Sequence, residues 1–127
     1  MNSMNRVLWA VVVTVLTAFP FAGRVRAQGA SGKLYVVTHV DLTPNFAVKG
    51  TKELQQYIAE SRKDPGLVRM ELLQDSARTN HYTVVSVWEN SKAFEAHEET
   101  EHSKRLRDKI QPMLGSPFDE RLHRMMN

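Results

Sequence analysis

Two histidines flank a run of acidic residues in the segment HEETEH at positions 97–102. Imidazole titrates near neutral pH and also binds metal ions, so proton transfer and metal binding are the two chemistries to consider. A zinc-protease helix of the form H-E-x-x-H needs a histidine at position 101, where Glu101 stands. His97/Glu101 and Glu98/His102 are four residues apart and could share a helix face, but no third ligand is indicated. We therefore expect no metal site and interpret the segment as a solvated acidic turn.

The pattern of apolar residues predicts the elements that must position these histidines. Strands are indicated by alternation and by β-branched and aromatic residues, and helices by a 3–4 spacing of apolar positions. Pro65 and Gly66 end the first helix. Asn90-Ser91 is the expected cap of the second helical region, with Ser91 as the acceptor, and a break is expected near Thr100. The predicted elements are a strand at 34–42, a helix at 46–62, strands at 67–74 and 81–89, a helical region from 91 and a strand at 118–126.

This order predicts an α+β, ferredoxin-like βαββαβ domain with an antiparallel sheet. Two helices on one face of such a sheet leave its other face uncovered. A chain this short has no further element to cover that face. We therefore expect a homodimer.

The first 27 residues have the pattern of an export signal. Arg6 precedes a charge-free run at 7–23, and Val25 and Ala27 suit the −3 and −1 positions of a cleavage site. Cleavage after Ala27 would leave a short lead-in at 28–33 and one domain at 34–127, in the periplasm or outside the cell. The alternative is an uncleaved N-terminal anchor, although the apolar run is shorter than the ~20 residues that comfortably span a bilayer. Contact with a membrane is expected only in that case.

The charge and the absence of cysteine exclude several classes of function. The whole chain has 17 Lys and Arg and 14 Asp and Glu, a net charge of +3. The expected signal contains three arginines and no acidic residue, so 14 basic and 14 acidic residues remain in the domain. A neutral domain indicates no nucleic-acid partner. With no cysteine in the sequence, thiol nucleophiles, zinc–thiolate sites and iron–sulfur clusters are excluded.

Three segments carry a family resemblance: DPGLVRMELL at 64–73, VWENSKAFEAH at 87–97 and EHSK at 101–104. They resemble the helix-to-strand passage and the second-helix motifs of the antibiotic biosynthesis monooxygenase (ABM) family. The resemblance extends from Leu34 to His123 and implies a dimeric α/β barrel of the kind that includes quinol monooxygenases. It also implies cofactor-free chemistry on a small aromatic substrate, in which a dihydroxyaromatic loses a proton and its anion reacts directly with dioxygen. The alternative is a non-catalytic, ligand-binding or stress-associated dimeric barrel in the periplasm.

The resemblance also suggests which residues form the site. His97 matches the family's helix position and is the expected catalytic base, with packing as its alternative role. His39, Trp88, His102 and Tyr57 are the expected substrate-binding residues, each with an alternative role in packing. His39 stands close to where some family members have an asparagine.

A haem-degrading branch of the same superfamily is disfavoured. That branch pairs an aromatic residue with a histidine about ten positions later in the second helix. Here His97 occupies the aromatic position, and Leu106 and Arg107 stand where the histidine would follow.

Overall fold

A computed structural model describes residues 32–126 of the chain. The expected signal at residues 1–27, and residues 28–31 of the expected lead-in, lie outside the described residues. Among the helices of residues 32–126, none has the length and apolar character needed to cross a bilayer.

The described chain has the βαββαβ order that the apolar pattern predicts, with the second helical region divided in two. The bounds of its strands and helices are β1 Leu34–Asp41, α1 Ala47–Ser61, β2 Leu67–Gln74, β3 His81–Trp88, α2 Ser91–Glu98, α3 Glu101–Ile110 and β4 Asp119–Arg124. Short 3-10 turns at Pro44–Phe46 and Gln111–Met113 precede α1 and follow α3. The α+β class and the ferredoxin-like order are therefore confirmed.

The four strands form one antiparallel sheet in the order β2-β3-β1-β4. Alternate residues of β1 are buried, and Val36 and Val40 pack with residues of the helices in the core. The intervening residues of β1, including Val37 and His39, point to the opposite face. No helix of the described chain covers that face, which we call the open face.

A bulge in β2 changes the pattern expected for that strand. The register shifts between Leu67 and Arg69, so that Leu67 lies opposite Trp88 while Arg69 lies opposite Val87. Leu67 consequently packs against the core, and Val68 is 47% exposed. Simple alternation along the strand predicts that Val68 faces the core together with Met70 and Leu72. This prediction is wrong, because the extra residue of a bulge shifts the alternation, so that residues before and after it no longer follow one pattern.

The second helical region breaks where the sequence predicts. Thr100 has an extended backbone conformation and caps α3, its Oγ1 accepting a hydrogen bond from the Ser103 amide at 3.3 Å. The cap of α2 is Asn90, whose side chain accepts from the Ala93 amide at 2.8 Å. The expectation of Ser91 as this cap is wrong by one residue. Both Asn and Ser suit the position, because each has a short side chain with an acceptor oxygen.

The turn after α1 holds that helix close to α2. Gly66 has φ 82°, a left-handed conformation that favours glycine. A methyl group at this position would lie 2.5 Å from Cβ of Ala93 in α2. The carbonyl of Gly66 also accepts a hydrogen bond from the Glu89 amide at 2.8 Å, directly after β3. The close approach places Asp64, at the start of this turn, beside α2 and α3.

Candidate active site

A narrow recess lies between the sheet and the helices. Its free space is about 10 Å³, close to the volume that a single water molecule needs, so a larger ligand requires the lining side chains to move apart. Most of its wall is apolar, and four polar side chains interrupt it. The apolar lining residues are Val36, Val40, Leu54, Val84, Phe94, Leu106 and Phe118, and the polar ones are Thr38, Tyr57, Ser86 and Glu120.

Glu120 is the carboxylate of this recess. It lies on β4 directly opposite Thr38 of β1, whose Oγ1 donates a hydrogen bond to Glu120 Oε2 at 3.2 Å. Burial raises the pKa of Glu120 above its ordinary value, while the Thr38 hydrogen bond and the charge of Arg107 oppose the rise. A carboxylate with a raised pKa is a stronger base once it ionises, which suits the removal of a proton from a weak acid.

A second carboxylate lies in an adjoining cleft, which shares Tyr57 and Glu120 with the recess. Glu98, in the last turn of α2, binds Arg107 of α3 through a 2.7 Å contact between Oε2 and Nη1. Burial and then the charge of Glu120 raise the pKa of Glu98, and Arg107 lowers it. Arg107 therefore lies near two carboxylates and moderates their mutual repulsion.

Tyr57 connects the recess to a buried polar cluster behind it. Its hydroxyl lies 2.7 Å from Nε2 of His97, and Nδ1 of His97 lies 2.6 Å from Oδ2 of Asp64. Because a carboxylate only accepts, the His97 proton is on Nδ1, and Nε2 accepts from the Tyr57 hydroxyl. Burial, followed by the charges of Glu98 and Glu120, raises the pKa of Tyr57, so this phenol stays protonated. Burial lowers the pKa of His97, and Asp64 opposes that change.

His102 completes the cluster. Its Nε2 lies 2.8 Å from Oδ2 of Asp64, the same oxygen that contacts His97. Ser103, beside it in α3, places its Oγ 3.2 Å from Nε2 of His97. Asp64, His97 and His102 each present one ligand atom, and the three atoms lie within 4.8 Å of one another. The i,i+4 pairs considered from the sequence span the break at Thr100, so a single helix does not carry them.

A family model described as "Antibiotic biosynthesis monooxygenase" matches residues 34–109 of the chain. The chain belongs to this family. The ABM model ends before β4 and therefore does not include Glu120.

Individual relatives of this ABM protein are distant in sequence. An uncharacterised protein of Synechocystis is 21% identical over 98 residues, which cover 77% of this chain and 67% of the relative. A crystal structure described as an antibiotic biosynthesis monooxygenase has a TM-score of 0.71 at 19% identity, covering 74% of this chain and 99% of the other. A structure from Pseudomonas aeruginosa has the same TM-score at 23% identity, covering 76% and 97%. At these identities the structural likeness shows the ABM fold alone.

The residues expected to form the ABM site occupy three different environments. Tyr57 lines the recess, as expected of a substrate-binding residue. His97 is 2% exposed and lies behind Tyr57, with His102 beyond it on Asp64. Trp88 is fully buried, and its ring centroid lies 4.6 Å from that of His97. His39 lies on the open face and contacts Thr83 Oγ1 at 3.2 Å, away from the other four.

Two polar residues of the recess were not among those expected from the sequence. Thr38 and Glu120 both occupy positions that face the core in the strand pattern. The available signal was the weak alternation of the last strand, which puts Glu120 on the same face as Phe118. A charged residue at a strand position that faces the core is rare, so Glu120 could have been singled out as a candidate site residue.

The raised pKa of Glu120 has a consequence for stability. The folded state binds this proton more tightly than the unfolded chain does, so the contribution of Glu120 to folding is full below about 4.5 and is lost as the pH rises through the raised pKa. Removing the titration with Glu120→Gln should therefore make the variant more stable relative to the wild type as the pH rises from about 4 to about 7. Urea unfolding of both proteins across this range measures the difference.

Glu95→Gln is the matched control, because Glu95 is exposed on α2, away from the recess and from the open face. Its unfolding free energy relative to the wild type should change less with pH than that of Glu120→Gln. A difference for Glu120→Gln that falls as the pH rises would contradict the assigned burial of this carboxylate.

Proposed function

We propose that this ABM protein is a monooxygenase that oxidises a quinol or a related electron-rich aromatic in the recess between sheet and helices. The observation that carries the proposal is the position of Glu120, a carboxylate with a raised pKa, in the mostly apolar wall of the recess. Phe94 and Phe118 provide aromatic surfaces against which a ring can pack. The recess thus combines a candidate base with aromatic surface, and we propose that its side chains move apart to admit the substrate.

The proposed reaction begins when Glu120 takes a proton from a substrate hydroxyl. The resulting anion is electron-rich enough to transfer an electron to dioxygen directly, as the family resemblance implies. For a hydroquinone the balance is simple: one oxygen atom enters the ring, the other leaves as water, and the substrate supplies the two electrons and the two hydrogens. The product is a hydroxyquinone. The apolar wall keeps water from the anion during these steps.

In this proposal His97 is a positioning residue rather than the base. Its Nε2 holds the Tyr57 hydroxyl at 2.7 Å, and Trp88 and Phe94 pack around its ring. A substrate in the recess therefore contacts Tyr57 but not the imidazole behind it. Asp64 fixes the ring tautomer, and so fixes the direction of the Tyr57 hydroxyl.

Oxygen uptake with a panel of catechols and hydroquinones tests the proposed activity. We expect the wild-type protein to accelerate uptake above the autoxidation of the substrate. Glu120→Gln should lower kcat by about 10²- to 10⁴-fold, the usual contribution of a general base. Glu95→Gln changes an exposed acidic residue of α2 outside the recess and should keep the wild-type rate.

Two results would contradict the proposal. The absence of uptake above autoxidation for every substrate would favour a non-catalytic, ligand-binding barrel. A Glu120→Gln variant with the full rate would exclude this carboxylate as the base.

The open face of the sheet supports a homodimeric barrel as part of the proposal. Val37 of β1 lies opposite Val85 of β3 at the centre of this face, and both are half-buried. On β2, Leu73 is 49% exposed beside them. Charged residues flank this apolar centre, with Glu71 opposite Val85 and Arg121 opposite Val37. Burying the apolar centre against another sheet, at a spacing of about 10 Å, would stabilise the assembly. A second copy of the chain presents the same surface.

A charge at the centre of the open face tests the dimer. Val85→Glu would place a carboxylate between the two sheets, where an unpaired charge is unfavourable. We expect sedimentation equilibrium to give twice the chain mass for the wild type and the single chain mass for Val85→Glu. Lys92→Glu, an exposed change in α2, should remain dimeric. A wild-type monomer would contradict the proposed assembly.

Export completes the proposal, supported by the signal pattern at residues 1–27. Protein recovered from the periplasm or the medium of a producing bacterium should begin at Gln28, because cleavage after Ala27 removes the apolar run. Intact mass and N-terminal sequencing measure this directly. A full-length chain in the membrane fraction would instead support the anchor.

A further inference from the structure

We propose that Asp64, His97 and His102 form a binding site for one divalent first-row metal ion, for which zinc is the best match. The ligand atoms would be Asp64 Oδ2, His97 Nδ1 and His102 Nε2, all within 4.8 Å of one another. The sequence pattern predicts no metal site because it offers no third ligand. Asp64, 33 residues before His97, supplies that ligand only through the fold. Two imidazoles and a carboxylate form a donor set that suits zinc.

The three ligands come from three separate parts of the chain. Asp64 lies in the turn after α1, His97 in the last turn of α2 and His102 in the first turn of α3. The turn is held near α2 by the contact between Gly66 and the Glu89 amide, and the helices meet at Thr100. The ligands are therefore preorganised by backbone contacts that do not depend on the ion.

The charge balance of the cluster favours a cation. The Asp64 side chain is 11% exposed, and its two close partners are imidazoles. Within residues 32–126, no lysine or arginine forms an ion pair with Asp64. A largely buried carboxylate beside two rings that can be neutral gains from a divalent ion, which compensates its charge more fully than hydrogen bonds do.

The surroundings of His97 match those of a metal-bound histidine. A histidine that ligates a metal through one nitrogen usually donates the other N–H to an oxygen. Nε2 of His97 faces two such oxygens, the Tyr57 hydroxyl at 2.7 Å and Ser103 Oγ at 3.2 Å. When Nδ1 binds the ion, the ring proton is on Nε2, and this N–H donates a hydrogen bond to one of the two hydroxyl oxygens. Trp88 and Phe94 fix the ring plane meanwhile.

The cluster needs a small expansion to hold the ion. Bonds of about 2.0–2.1 Å in a tetrahedron place neighbouring ligand atoms about 3.3 Å apart. The present distances from Asp64 Oδ2 are 2.6 Å to His97 and 2.8 Å to His102. Binding would require Asp64 and His102, whose side chains are 11% and 16% exposed, to shift outward by this difference, with the buried His97 as the anchor. A water molecule would complete the four-coordinate site.

Metal binding would change the hydrogen bonding of Tyr57, which lines the recess, although the ion itself would lie outside the recess. In the hydrogen-bonded cluster the Tyr57 hydroxyl donates to His97. With the ion bound, His97 donates to Tyr57 instead, and the phenol hydrogen becomes free to point into the recess. The ion would thus set whether Tyr57 can donate a hydrogen bond to a bound molecule. This inference does not depend on the proposed oxidation, because the site and its test do not involve turnover.

Titration of the tag-free protein with zinc alone tests the site. We expect one equivalent to bind, and we expect cobalt at the same site to give the visible absorption of a four-coordinate ion. Asp64→Asn and His102→Gln should each weaken binding at least tenfold, because each removes one of three protein ligands. His123→Gln, an exposed histidine on β4, should bind zinc as the wild type does.

Two further measurements distinguish specific zinc binding at this site from unfolding of the variants and from non-specific binding at the surface. Circular dichroism and thermal unfolding should show that His102→Gln, which loses a partly exposed side chain, keeps the wild-type fold. Nitrogen-15 NMR of the histidine rings should show the His97 proton on Nδ1 without zinc and on Nε2 with one equivalent. Zinc that fails to bind, binding that survives in folded Asp64→Asn and His102→Gln, or an unchanged His97 tautomer would each overturn the proposal.

Discussion

The need to satisfy both nitrogens of a buried imidazole organises the helical side of this protein. His97 is 2% exposed, and an unpartnered ring nitrogen at that depth would destabilise the fold by about 1–3 kcal/mol. Asp64 satisfies one nitrogen and Tyr57 the other, so the turn after α1, the body of α1 and the end of α2 must meet at one point. The left-handed Gly66 makes that meeting possible, because it lets the turn lie against Ala93.

On the other side of Tyr57, the recess holds a carboxylate that burial destabilises in its charged form. Glu120 keeps a hydrogen bond from Thr38 and the charge of Arg107 near it, yet burial still dominates its pKa. The strand that carries it is an edge strand of six residues, outside the range of the family model. Tyr57 joins the two sides: its hydroxyl contacts His97 of the cluster, and its side chain lines the recess with Glu120.

The sequence predicts most of the fold, because periodicity records which residues are buried. The alternation of β1 and the capping threonine at position 100 both have local causes, and both are confirmed. The bulge at Leu67 is missed because one extra residue leaves the composition of a strand unchanged. Asp64 is missed as a partner of both histidines because its contacts span 33 and 38 residues, and no local pattern encodes such distances. His39 falls on the open face because strand parity fixes a residue's side of the sheet, whatever its type.

The division of the second helical region into α2 and α3 also affects when the cluster of Asp64, His97 and His102 can form during folding. Helices of eight and ten residues are marginal in water by themselves, since the cost of starting a helix is spread over few bonds. Both α2 and α3 thus acquire their structure by docking on the sheet and on α1. His97 and His102 lie on these two helices, so we expect the complete cluster to form only after both have docked. We therefore expect the cluster to assemble in the same cooperative step in which the two helices dock.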